Sequence, residues 1–384
     1  MKKIVVLLLL VLTCAFAFAG GDSEVASEIK IGGIGPLTGD YANYGTSVKN
    51  GAELAASEIK EVNGIPLTVL FQDSKADNAE AVKAYGALID SGMNISLGGV
   101  LSGETANIAA EATNDGIFVL TATASADRCI LDNDKAFRVC FADSTQGSAS
   151  AAYINEYDLA DTVAVFYQSD VDYSTGLYNT FTEKAAEVGI EIVEVQSFTK
   201  DQNTDFSSQI NAILSSDADL VFAPIYASDA ATFLIQADAK GLDTTVFGCD
   251  GLDGLLTKLG DAEQEYAEGV MILTAFSADA ESNGVPAFVS AYKENYGATP
   301  DQFAAAGYDA IYVIAELIKN AGVTAEDLAD IEALGDTLTA AILELDHTGV
   351  TGKMTWTAEG NSDKLAQAMI IKKTADGSYK AVLN

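Results

Sequence analysis

The sequence predicts an α/β fold whose parallel sheets are covered on both faces by helices. Three observations point there. Short apolar strands alternate with amphipathic helices along most of the chain. The alternation comes in two blocks, one before and one after about residue 143. Several helical stretches also stop at a glycine (Gly92, Gly189, Gly241, Gly322), the residue that closes a helix in the left-handed conformation most cheaply.

The run 29–34 reads as the opening strand, and 46–62 as a helix carrying Val48, Ala52, Ala55, Ile59 and Val62 on one face. Strand 66–71, helix 78–90, strand 95–100, helix 103–115 and strand 117–120 complete the first block. The second block runs through helix 146–157, strand 162–167, helix 174–188 and strand 191–195. It continues with helix 204–214, strand 220–223, helix 229–240 and strand 245–247. From Gly284 the pattern changes to helices at 286–296, 302–320 and 336–345, then short strands at 353–356, 369–372 and 379–382. No low-complexity linker separates the blocks, so the tail must return to cover one or both of them.

Composition narrows the function. At 384 residues and 49% apolar content, the chain can build two domains with buried cores. Its 21 basic and 56 acidic residues give a formal charge of −35, which repels phosphate backbones, nucleotides and anionic lipid surfaces. A single histidine, His347, excludes multi-histidine metal sites, and its setting predicts a surface or turn position. No Gly-x-Ser-x-Gly elbow, His-Glu-x-x-His pair or phosphate-binding Gly-x-x-x-x-Gly-Lys loop is present. The glycine run Gly32–Gly39 has the wrong spacing for a dinucleotide fingerprint, and Pro36 removes an N–H that a phosphate would use. Neither an enzyme nor a cofactor is expected.

Lys2 and Lys3, the apolar run 4–18 and Ala17-Phe18-Ala19 describe a secretory leader over residues 1–19, too short to span a membrane. Val11-Leu12-Thr13-Cys14 loosely resembles a lipoprotein box, which leaves lipidation at Cys14 as an alternative. The stretch 20–28 reads as a polar mature terminus. In an exported protein, Cys129 and Cys140 either pair across the polar turn at 131–134 or remain independent buried thiols.

Three strand ends carry recognition chemistry. In open parallel sheets, ligands sit beyond the carboxyl ends of strands, near helix N-termini. Strand 95–100 runs into Ser102, which with the helix-start N–H groups suits a carboxylate, or alternatively caps the helix. Strand 117–120 leads into Thr121-Ala122-Thr123-Ala124-Ser125-Ala126, where small hydroxyl residues let a ligand approach the backbone, as in an ordinary turn. Strand 245–247 ends in Gly248-Cys249-Asp250-Gly251, so Asp250 either meets an ammonium group or caps the next helix.

Ile31-Gly32-Gly33-Ile34-Gly35-Pro36-Leu37-Thr38-Gly39 with Asn43-Tyr44-Gly45 resembles the start of the leucine/isoleucine/valine-binding proteins, the type I periplasmic solute-binding components of ABC importers. Similar blocks follow at Leu97–Ser102, Phe137–Phe141, Gly248–Gly251 and Gly349–Trp356, in the same order over the mature chain. The resemblance implies two Rossmann-like lobes joined by a three-crossing hinge, with 29–142 plus 275–349 in lobe one and 143–274 plus 350–384 in lobe two. It also implies that Ser102 and Ser125 hold the ligand carboxylate, beside Ala124, and that the Thr123 carbonyl and Asp250 take the ammonium. Tyr44, Tyr173, Tyr226 and Phe303 match aromatic residues around the ligand.

Two departures stand out. The family's leucine binder has glutamate where Asp250 stands, and the first cysteine of its disulfide near the site is missing here around Asp73-Ser74. What the resemblance implies is a non-enzymatic, monomeric receptor for an L-amino acid, branched-chain or small aliphatic, serving a membrane permease and ATPase. A sensing module for a membrane receptor and a binder of amides or urea are the alternatives.

Overall fold

The computed structural model describes residues 28–364 and 366–384. The leader, Cys14 and nearly all of the polar terminus lie outside the described residues. The chain begins with β1 (Ile29–Gly35), α1 (Ala42–Ile59), β2 (Glu61–Val62), β3 (Ile65–Asp73) and α2 (Asn78–Asp90). It continues with β4 (Ile95–Gly99), α3 (Ser102–Asp115), β5 (Val119–Thr121) and β6 (Ala136–Arg138). These strands form one six-stranded sheet in the order β2-β3-β1-β4-β5-β6, parallel except for the β2–β3 hairpin.

A second alternation follows: α4 (Asp143–Glu156), β7 (Thr162–Gln168), α5 (Asp172–Val188), β8 (Glu191–Phe198) and α6 (Ser207–Ser216). Then come β9 (Leu220–Phe222), α7 (Ala227–Lys240), β10 (Thr245–Gly248) and β11 (Met271–Thr274). The tail supplies α8 (Val285–Tyr296), α9 (Gln302–Ala321), α10 (Ile331–Ile342), the hairpin β12 (His347–Gly349) with β13 (Gly352–Met354), β14 (Gln367–Lys373) and β15 (Tyr379–Leu383). The second sheet is ordered β15-β14-β11-β10-β9-β7-β8, with β7 to β11 parallel and β14 and β15 antiparallel at one edge.

The chain therefore leaves the first sheet after Arg138, leaves the second after Thr274, and returns to it between Gly349 and Gln367. That return is why the tail loses the alternating pattern. Within each sheet the strand order reverses once, between β1 and β4 in the first and between β7 and β9 in the second. Such reversals open a crevice at the carboxyl ends of the strands.

Packing explains several differences from the sequence reading. The helix expected at 46–62 starts four residues earlier and stops at Ile59, where Lys60 takes a positive φ (64°) and the chain enters the hairpin turned by Asn63 and Gly64 (φ 52° and 78°). Val62 is a strand residue, and the Asn63 side chain donates to the carbonyls of Ile318 and Val323. Helix α10 begins at Ile331, where the Asp330 side chain accepts from the Ala333 N–H, and not at 336. Strands β6 and β11 had no separate signal. Each is three or four fully buried residues, too short to show a period.

His347 is not a free turn residue. It sits in β12 with Nδ1 2.8 Å from Glu316 Oε2. Of the two alternatives for Cys129 and Cys140, the structure has the independent thiols, both buried, as is that of Cys249. The Cys129 thiol donates to the Ser102 carbonyl at 3.3 Å, and burial pushes the Cys140 thiol up to about 12.

Candidate functional site

Two small adjoining cavities lie between the sheets, each about 20 Å³, roughly the space of one water. The outer one is lined by Tyr44, Ser102, Thr123, Ser125, Tyr173, Tyr226, Asp250 and Phe303, among others. Eight of the nine residues named from the sequence thus converge on one place. Ala124 is the exception: it is fully buried beneath, its N–H given to the Thr121 hydroxyl at 3.1 Å.

The first sheet contributes donors. Ser102 is the first residue inside α3, not the residue ahead of it, and its Oγ accepts from the Ala126 N–H at 3.2 Å. The loop after β5 is braced from below by Arg138, fully buried, whose guanidinium donates to the carbonyls of Ser125 and Ala126. The Thr123 hydroxyl donates to the Val100 carbonyl at 2.8 Å, tying this loop to the end of β4. Among the described residues, the N–H groups of Ser102, Thr123 and Ser125 reach no protein acceptor, and nothing donates to the Thr123 carbonyl. The α3 start adds its own positive dipole end.

The second sheet contributes the negative pole. Asp250 opens a short turn directly after β10, with its N–H given to Gln146 Oε1 at 3.2 Å and its carbonyl accepting from Gln302 Nε2 at 3.2 Å. Its carboxylate Oδ1 is buried with no partner among the described residues. Burial pushes this carboxyl up to about 6, only partly offset by the nearby polar groups of Tyr173 and Gln146. Gly251 is needed beside it, since a Cβ there would lie 2.6 Å from the Tyr173 hydroxyl. An uncompensated carboxylate facing unused N–H donors across a gap is polar complementarity for a zwitterion.

Aromatic rings wall the gap. Tyr173 and Tyr226 stack at 4.9 Å and 12°, Tyr44 meets Phe303 edge to face at 4.9 Å, and Tyr41 sits 5.3 Å from Tyr226. Tyr44 also crosses between the sheets: its hydroxyl donates to the Gly251 carbonyl at 2.6 Å and accepts from the Ala227 N–H at 2.8 Å. Tyr41 does the same at the rim, donating to Asp229 Oδ2 at 3.1 Å.

Sequence reasoning missed Tyr41, Arg138, Gln146 and the inner cavity residues Gln302, Thr351 and Lys364. Tyr41 lay three residues from Tyr44 and was readable as part of the same loop; the others carry no local signal.

This arrangement occurs in a chain that matches the periplasmic binding protein family over residues 28–377. The chain belongs to that family. It is similar to Leu/Ile/Val-binding protein homolog 3 of Brucella melitensis, 28% identical over 327 residues that cover 84% of this chain and 87% of the relative. Among solved structures it is similar to a leucine binding protein of Thermotoga maritima, with a TM-score of 0.82, 28% identity, and coverage of 93% of this chain and 99% of that one. It is equally similar to a branched-chain amino acid transporter substrate binding protein of Streptococcus pneumoniae in complex with isoleucine, with a TM-score of 0.81, 28% identity and 93% and 100% coverage. The fold of this periplasmic binding protein is thus two parallel-sheet lobes of the type expected, and the family is one of binding proteins, not enzymes. No helix among the described residues is long and apolar enough to cross a membrane.

Proposed function

We propose that this periplasmic binding protein is the solute-capturing component of an ABC importer and holds an L-amino acid, branched-chain or small aliphatic, between its lobes. One observation carries the reading. The unused N–H groups of Ser102, Thr123 and Ser125 and the unpartnered carboxylate of Asp250 face a single aromatic-walled cavity from opposite lobes. The relatives support the ligand class, since one is named for leucine, isoleucine and valine and another holds isoleucine.

In this reading the carboxylate of the ligand sits against Ser102, Ser125 and the α3 start. Its ammonium bridges the Thr123 carbonyl and Asp250, and its side chain lies among Tyr44, Tyr173, Tyr226 and Phe303. The cavities are far smaller than an amino acid, so the lobes must part to admit it and then hinge shut. Lobe one comprises 29–142 and 275–349, lobe two 143–274 and 350–384. The leader over 1–19 exports the chain, Cys14 is the site at which an alternative lipid anchor would attach, and a permease with its ATPase receives the closed form.

Titration calorimetry with each of the twenty L-amino acids tests the assignment. Leucine, isoleucine or valine is expected among the tightest ligands; absence of heat with all twenty would sink it.

A further inference from the structure

The inner cavity adjoins the outer one at Thr123, Asp250 and Phe303 and runs toward the hinge, where Lys364 lines it together with Gln302 and Thr351. Lys364 is 4% exposed, an unusual position for a cationic side chain. Its Nζ donates to the Thr351 hydroxyl, and that hydroxyl is itself committed as a donor to Asp309 Oδ2. Asp309 already accepts from the N–H groups of Val350 and Thr351 at 2.9 and 2.8 Å. An ammonium group has three donors, and among the described residues no second acceptor meets Lys364 and no carboxylate stands within ion-pair distance of it. A buried charge left in this condition is expensive unless something arrives to pair with it.

We propose that Lys364 is a specificity-determining residue of the ligand site: the inner cavity receives the distal end of the ligand side chain, and Lys364 pairs with an acceptor there, a carboxylate above all. The inference rests on the amino-acid reading and deepens it. It extends the ligand class from aliphatic amino acids to those of similar size whose side chain ends in oxygen. Thr351 and Gln302 supply further polar contact at the same end, while the tyrosines and Phe303 cover the aliphatic stem. Burial lowers the Lys364 ammonium to about 8, with Asp309 and the Cys140 thiol as the charged or titratable groups that offset it, so this charge responds to small changes in its surroundings.

Near-isosteric ligands test the idea: L-aspartate against L-leucine, and L-threonine against L-valine, by calorimetry on the wild type and Lys364→Met. The wild type is expected to bind aspartate within tenfold of leucine. The variant should lower the aspartate-to-leucine affinity ratio at least thirtyfold. Leucine binding with no measurable aspartate binding, or equal losses for both, overturns the proposal and leaves the amino-acid reading standing. If no amino acid binds at all, both fall. Should the variant not fold, the wild type still decides: the aspartate-to-leucine affinity ratio should fall about tenfold between pH 7.5 and 9.5, and a flat ratio overturns the role of the charge.

Discussion

Asp250 concentrates the physical tension of the site in one side chain. Its carboxyl is pushed up to about 6 in the folded protein, against about 3.9 in an unfolded chain. A carboxyl raised on folding binds more protons in the folded state, so its contribution falls as pH rises from about 4 to about 6 and stays unfavourable above. The shift corresponds to about 3 kcal/mol at pH 7. Asp250→Asn is therefore expected to raise the melting temperature of the ligand-free protein at pH 7 while leaving it nearly unchanged at pH 4. The same substitution should weaken amino-acid binding by roughly 2–5 kcal/mol, since it removes the partner of a buried ammonium. In the unsubstituted protein, affinity should decline as pH drops through about 6, because protonated Asp250 no longer neutralises that ammonium. Melting curves and calorimetry at pH 4, 5 and 7 check all three; a destabilised variant that still binds normally would contradict the first two, and an affinity of the unsubstituted protein that stays flat with pH would contradict the third. Residues of this kind were legible in the sequence, because a carboxylate between glycines at a strand end is a local pattern. Lys364 was not, because its meaning depends on Thr351, Gln302 and Phe303 being brought beside it.

Elements were legible wherever their own ends carry signals. Helix α2 matches its expected span at both ends: the Asp77 side chain accepts from the N–H groups of Ala79 and Glu80 at its start, and Gly92 takes a positive φ (82°) just past its end. Helix α1 departs from its expected span at both ends: its start lacks a side-chain cap, and it ends just before Lys60, a non-glycine residue at positive φ that carries no sequence signal. The crossing of α1 with α9 shows what sequence periodicity leaves out. A Cβ on Gly51 would stand 1.9 Å from the Ala304 carbonyl oxygen, and one on Gly307 would stand 2.4 Å from that of Val48. The two helices approach until backbone meets backbone, with a glycine on each side. Replacing a helix-interior glycine by alanine ordinarily gains about 1 kcal/mol. Here Gly51→Ala and Gly307→Ala are each expected to lose about 1–3 kcal/mol instead, because the helices must separate. Denaturant titration gives the sign directly, and a gain in stability at either position would show that the crossing is looser than described.

Across the whole molecule, the lobes are held shut largely by residues flanking the site. Tyr44 and Tyr41 reach from the α1 start to the α7 start, the Ser228 hydroxyl and Lys258 ammonium both donate to the Asp40 carbonyl, and Arg128 pairs with Asp172 at 2.9 Å. Of these, Tyr44 is the one that is buried, touches the cavity and satisfies two backbone groups of the other lobe. Tyr44→Phe leaves the Ala227 N–H unpaired when the lobes close, a loss of about 1–2 kcal/mol. Ligand affinity should drop about tenfold, mainly through faster release, and small-angle scattering should report a larger radius of gyration for the liganded variant than for the liganded wild type. Unchanged release kinetics would remove Tyr44 from closure and leave it a wall of the pocket.

By itself, the sequence determined the alternation of strands and helices, the formal charge of −35, and the chemistry waiting at three strand ends. All of these follow from neighbours within a few residues or from composition summed over the chain. Tertiary structure decided the rest: that Cys129 and Cys140 stay apart as buried thiols, that His347 meets Glu316, and that Lys364 lies in the same cavity system as Asp250. The last of these depends on the chain leaving and re-joining its sheets, which brings residues more than a hundred positions apart to a common place. Spacing along the chain carries no trace of such distances; burial and the pairing of polar groups across the two lobes fix them.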